Sequence, residues 1–188
     1  MIATFHVTRY DRIRDGMPHM WFDRALLRDA PGLRFWRLLV TPDPRQWAMF
    51  AVWEDEPDLP LAIADRFAKA EHREWRLEPV RWHGTWGGVD PFAGAEPAEA
   101  RGAIAVFTRA SVRLRSMREF RRATPTVPGG ILAGEWPIAR QATFSVWESA
   151  EALQAFRRSH ADVIRRTRAG GWYSEELFAR FAISSATR

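Results

Sequence analysis

Trp47-Ala-Met-Phe-Ala-Val-Trp-Glu54 and Gln141-Ala-Thr-Phe-Ser-Val-Trp-Glu148 share Ala, Phe, Val, Trp and Glu in the same order. Internal repetition of this kind is read before anything else, because it sets the architecture. Each segment alternates as a half-buried strand does. Each is followed by a helix-like stretch. Ser149 is placed to cap the second helix, with Glu151 in its first turn and Gly170-Gly171 closing it. In the first half Pro60 suits a helix start, and the pattern predicts a helix through Phe67 to about Trp75.

The match extends outward. Phe5–Arg14 (FHVTRYDRIR) resembles Val106–Arg115 (VFTRASVRLR), each a strand turning into a helix, over Met17–Leu27 and over Ser116 to about Ala123. A second strand follows at Leu33–Val40 and Ile131–Trp136, and a last strand at Val80–Gly87 and Leu177–Ile183. The order β-α-β-β-α-β, twice, is the ferredoxin-like order. The expectation is an α+β chain of tandem ferredoxin-like repeats closing a dimeric α/β-barrel-like unit, with helices outside. Residues 1–92 form the first half, 93–101 the linker and 102–188 the second half. Asp90–Arg101, rich in Pro, Ala and Gly, marks the connection.

Composition narrows the function. The length of 188 residues supports a real core, and ten Trp are chiefly core packing, with an aromatic-lined pocket as the sharper reading. The absence of Cys excludes a disulfide scaffold, a thiolate ligand and a Cys nucleophile. The net charge of +5 is nearly all arginine, with Lys69 the single lysine. Scattered arginine argues against a nucleic-acid partner. The densest run, Arg157-Arg158 to Arg165-Arg166-Thr167-Arg168, is a solvated helix face or an anion-attracting patch. The chain opens on a strand-like segment with no signal-peptide pattern, and no stretch suits a bilayer span. The expected location is cytoplasmic, and the expected assembly a homo-oligomer.

No dinucleotide fingerprint, phosphate loop, nucleophile elbow or zinc-protease motif is present. The histidines are the informative titratable groups: His6, His19, His72, His83 and His160. Leu153, Phe156, His160, Val163 or Ile164, and Thr167 recur at helical steps of three and four, which puts His160 within an inward stripe. A neutral imidazole there is either a satisfied core histidine or a metal ligand; with porphyrin supplying the other donors it suits a haem. His72 follows Phe67 by five and is expected off the inward face. On the strands, Trp47, Met49, Ala51 and Trp53 correspond to Gln141, Thr143, Ser145 and Trp147, so one apolar row has become polar. That row is either a cavity wall with hydrogen-bond donors or a wetter face.

Several segments together resemble one family. They are Trp86-Gly-Gly-Val-Asp-Pro-Phe92, Phe107-Thr-Arg-Ala-Ser-Val-Arg113, Gly134-Glu-Trp-Pro137 with Arg140-Gln-Ala-Thr-Phe-Ser-Val-Trp147, His160-Ala-Asp-Val-Ile-Arg-Arg-Thr-Arg168, and Gly171-Trp-Tyr-Ser-Glu-Glu-Leu-Phe-Ala-Arg-Phe181. Their order and content are similar to those of the spheroidene monooxygenase (CrtA-like) family. The resemblance implies a haem- and oxygen-dependent enzyme that introduces keto groups into acyclic carotenoids. Here the stretch before His160 is shorter than in the family, so the substrate expected is broader: a small hydrophobic or secondary-metabolite molecule.

The resemblance makes His160 the expected axial ligand of the iron of haem b, the manner in which chlorite dismutases and aldoxime dehydratases hold haem on a related fold. Phe156 and Ile164 would flank the cofactor. Arg109 and Arg165 would pair with its propionates. Thr143, Ser145, Gln141 and Arg140 would donate to bound oxygen atoms, and an electron donor is implied. Three rival readings stay open: a haem enzyme acting on an N–O substrate, a cofactor-free monooxygenase, and a non-catalytic haem-binding protein.

Overall fold

The computed structural model describes the chain except for Arg101, residues 124–126, residues 136–139, His160 and Arg188, and except for the side chains of Pro18, His19, Met20, Arg121, Ile164 and Arg168. Its elements are strand β1 (Ile2–Arg9), helices α1 (Ile13–Gly16) and α2 (Pro18–Arg28), strands β2 (Leu33–Val40) and β3 (Gln46–Trp53), helix α3 (Leu61–Ala68) and strand β4 (Glu71–Gly84). Then come β5 (Ile104–Val112), a 3-10 turn (Leu114–Ser116), α4 (Met117–Ala123), β6 (Ile131–Glu135), β7 (Arg140–Trp147), α5 (Ala150–Ser159), α6 (Ala161–Ala169) and β8 (Tyr173–Thr187). Every strand pairing is antiparallel, and the sheet closes on itself in the order β1-β3-β2-β6-β7-β5-β8-β4.

Alternation along the strands assigns each side chain to one of two layers. Ala48, Phe50 and Val52 of β3 face the barrel interior with Phe5, Phe35, Phe107, Ala142, Phe144, Leu177, Ala179 and Phe181. Phe5 stacks on Phe144 with centroids 4.2 Å apart, and Phe50 stacks on Phe107 at 4.7 Å. The opposite parity faces the helices. In the first half Met49 packs there with Leu27, Ile63 and Phe67. In the second, Ile104 and Val106 pack with Leu153.

The barrel ends are treated differently from what the sequence suggested. β4 stops at Gly84, and the following segment turns inward. Gly84 has φ +91 and passes so close to the Glu176 carbonyl that a Cβ would overlap it. Only glycine meets both demands. Trp86 and Phe92 then plug the interior, both fully buried. The Ala98 amide donates to the Pro79 carbonyl (2.8 Å), so the connecting segment is strapped onto β4. Closure of the sheet is lopsided: β4 and β8 pair along their lengths, whereas β2 meets β6 at Val40 and Gly134.

One helix boundary was overextended. The helix expected to reach Trp75 ends at Ala68, and β4 begins at Glu71. Pairing with β1, which sets Phe5 opposite Trp75 and Thr8 opposite His72, overrides the helical pattern of the sequence. The caps are as expected: the Ala152 amide donates to Ser149 Oγ (3.3 Å), and Gly171 takes φ +56 beyond α6.

Because Phe107 is fully buried between Phe5, Phe50 and Trp86, Phe107→Ala should lower unfolding stability by about 3–5 kcal/mol. Val146→Ala, at a half-exposed position, should stay within about 0.5 kcal/mol. Denaturant unfolding of the two variants checks both.

Candidate active site

The polar row of β7 faces the helix layer of the second half, opposite in parity to Phe144. Ser145 is buried and accepts a hydrogen bond from Trp147 Nε1 (2.9 Å). Phe156 of α5 lies against Trp147, ring centroids 5.0 Å apart. Thr143 and Gln141 are partly buried, and the Gln141 amide nitrogen approaches Met117 Sδ at 3.6 Å. Leu153 and Thr167, members of the inward helical stripe, are buried. His160 lies outside the described residues, as does the side chain of Ile164.

The row continues across the sheet. Ser145 pairs with Val106, and Val106 with Arg180 of β8; Thr143 pairs with Thr108, and Thr108 with Phe178. Arg180 therefore shares the helix-facing layer with Ser145. Its Nε is buried and has no hydrogen-bond partner among the described residues. An enclosed guanidinium nitrogen without an acceptor costs stability until one reaches it.

Two expected propionate partners are placed elsewhere. Arg109 shares the parity of Phe107, so it points into the barrel rather than at the helices, and is almost fully buried. Its guanidinium is committed to Glu175 and to Glu135, the latter at 3.2 Å. Arg165 is largely exposed and pairs with Asp162 one turn earlier. Arg140 is half-exposed, 3.9 Å from Glu135, at the barrel mouth rather than beside Ser145.

The mouth network was not visible in the sequence. Arg37, Arg109, Glu135 and Glu175 all take inward parity at one end of the barrel. Arg37 Nε lies 3.3 Å from Glu135 Oε1, and its guanidinium sits 4.2 Å over the Phe35 ring. Glu175 accepts from Thr85 Oγ1 (2.9 Å) and from the Gly88 amide (2.8 Å), which latches the plug loop over Trp86. Burial works to raise the Glu175 pKa, but the Gly88 amide, the Arg109 guanidinium, the Gly87 amide and the Thr85 hydroxyl outweigh it and bring it down to about 2. The network ties the plug loop to the mouth of the barrel.

The first half presents an apolar row, Met49 and Ala51, where β7 is polar. Its helix-facing layer holds the apolar Met49 group but also His6, His72 and Glu74, with His72 on β4 rather than on a helix. The strand pattern His72-x-Glu74 carried this signal, masked by the helical reading of residues 60–75.

No family model matches the chain. The fold is an eight-stranded antiparallel barrel with outer helices, and the relatives it shares sequence with are monooxygenases by name. Spheroidene monooxygenase of Rhodobacter capsulatus is 32% identical over 196 aligned residues, covering 87% of this chain and 81% of that protein. The Cereibacter sphaeroides spheroidene monooxygenase is 31% identical over 212, covering 97% of this chain. The chain spans 65% of the length of that relative. The Rubrivivax gelatinosus protein of the same name is 32% identical over 182, covering 80% of this chain and 69% of its own length. The chain belongs to the spheroidene monooxygenase family. Among solved structures, an anthrone oxidase-like protein overlaps with a TM-score of 0.35 at 14% identity, covering 99% of this chain and 92% of its own. A ferredoxin-fold protein related to antibiotic biosynthesis monooxygenases, from Listeria monocytogenes, overlaps at 0.27 and 12%, covering 95% and 94%. Overlap this loose adds nothing to the strand order itself.

Glu175→Gln should destabilise the protein by about 1–3 kcal/mol at neutral pH. The native carboxyl titrates near 2 instead of its ordinary 4.5. The stabilisation is therefore complete above about pH 4.5 and is lost as pH falls toward 2. Unfolding curves of wild type and variant should converge across that window.

Proposed function

We propose that the chain is a haem-dependent monooxygenase acting on a small hydrophobic molecule, built from two fused and diverged ferredoxin-like copies with the active site in the second. The observation that carries the reading is the helix-facing layer of that half. It combines a hydroxyl row, Thr143 and Ser145, with the partly buried Arg180, whose Nε is enclosed and unpaired among the described residues, under helices that turn Leu153 and Phe156 toward the sheet. Residues of this kind fit a flat apolar cofactor with carboxylate tails. Family membership supports the oxidative chemistry.

In this reading His160 would supply a nitrogen ligand to the iron, and Phe156, Ile164 and Leu153 would provide apolar contacts to the cofactor. Arg180 takes the carboxylate-pairing role that the sequence had suggested for Arg109 and Arg165. Bound haem would supply the oxygen activation that side chains cannot. The protein's part is binding, orientation and exclusion of water. Ser145 Oγ already accepts from Trp147, so its own hydrogen can donate into the layer. Thr143, two residues along the same face, offers a second hydroxyl. Such donors act more strongly in a dry layer than in water. Gln141 is drawn toward Met117 and serves the edge of the layer. An electron donor completes the requirement, since monooxygenation consumes two electrons beyond those of the substrate.

Protein titrated with haemin should develop a Soret band that His160→Ala shifts or abolishes. Arg180→Leu should weaken haemin binding by about tenfold, equivalent to roughly 1.4 kcal/mol, with the band position kept. Protein that takes up no haemin would overturn the reading.

A further inference from the structure

The first half carries a second constellation, independent of the layer just described. β1 sends Phe5 and Val7 into the barrel and Thr4, His6 and Thr8 toward α3. β4 sends Trp75 and Leu77 inward, so His72, Glu74 and Arg76 share the α3 side. The register sets Glu74 directly opposite His6 and His72 opposite Thr8. Cross-strand and diagonal neighbours on one face are within side-chain reach.

His6 Nδ1 and His72 Nε2 are 3.2 Å apart, and Glu74 Oε2 is 3.9 Å from His6 Nδ1. All three donor atoms fall within 4.8 Å of one another. Two nitrogens bound to one cation at about 2.0–2.1 Å, with an ordinary coordination angle, are themselves about 3 Å apart. His6 is 1% exposed and the other two are partly buried. Phe67 of α3 lies over both imidazoles, at 5.2 Å from His6 and 4.4 Å from His72.

We propose that His6, His72 and Glu74 form a binding site for a divalent first-row transition-metal ion of the iron-to-zinc range. Two imidazoles and one carboxylate are the donor set such ions favour, and three protein ligands leave positions for solvent or a small molecule. A hydrogen bond between the two rings would occupy one nitrogen of each and leave Glu74 Oε2 unused. The other oxygen of Glu74 accepts from Arg76 Nε (3.3 Å), which holds the carboxylate toward the imidazoles. His6 Nε2 is buried without a partner among the described residues, and His6 lines a small cavity with Thr8, Leu38, Trp47 and Met49.

The test uses the full chain, without an affinity tag, haem-free and treated with chelator. Titration with Co²⁺ should give visible d–d bands that saturate at one ion per chain, and should raise the thermal midpoint. Glu74→Gln, which keeps the shape of the side chain, and His72→Ala should each weaken binding at least about tenfold. His160→Ala should leave the Co²⁺ spectrum unchanged. Absence of saturable bands would overturn the proposal. So would binding that survives both Glu74→Gln and His72→Ala, or binding lost on His160→Ala. Haemin uptake is read separately, so either site can fail without the other.

Discussion

The aromatic stack at the centre of the barrel constrains everything else in this protein. Phe5 on Phe144 and Phe50 on Phe107 bring rings from β1, β7, β3 and β5 into contact, and Trp86 and Phe92 close the remaining space. These rings fill the space around the barrel axis with close aromatic contacts. Strand alternation then sends every other side chain outward, to the layer between sheet and helices. The two halves fill that outer layer with different residues. The mouth of the barrel is held shut by Arg37, Arg109, Glu135 and Glu175, all inward in parity.

The outer layers of the two halves differ in the residues they hold. At the end of β3, Trp53 donates to Thr4 of the neighbouring strand (3.2 Å); at the end of β7, Trp147 donates to Ser145 of its own strand (2.9 Å). Each indole is thereby satisfied, so the tryptophans brace the sheet. What differs is the row beside them. Met49 and Ala51 leave the first half's layer to Leu27, Ile63 and Phe67, while His6, His72 and Glu74 gather under Phe67. Thr143 and Ser145 make the second half's layer polar along β7, with Arg180 two strands away.

Much of this was legible in the sequence where local pattern and tertiary pairing agree. The paired Trp strands, the Ser149 cap and the glycines after α6 were readable because each depends on a few adjacent residues. The segment from Pro60 to Trp75 was not, because pairing with β1 decides it and periodicity alone does not register a partner strand. Arg109 could have been read better: two residues after Phe107 on the same strand, it must share an inward face. Arg180, between Ala179 and Phe181, alternates outward by the same rule. Register is the part no single strand reveals, and register alone brings His6 to Glu74 and Ser145 to Val106 and Arg180.

The central claim is that one strand parity packs the barrel while the other forms the site. It is tested most directly on adjacent residues of β7, by measuring unfolding stability and haemin affinity for Phe144→Leu and Thr143→Leu side by side. The account predicts that Phe144→Leu lowers the unfolding midpoint with little change in affinity, and that Thr143→Leu weakens haemin binding with the midpoint nearly kept. The reverse pattern, or loss of both properties in both variants, would contradict it.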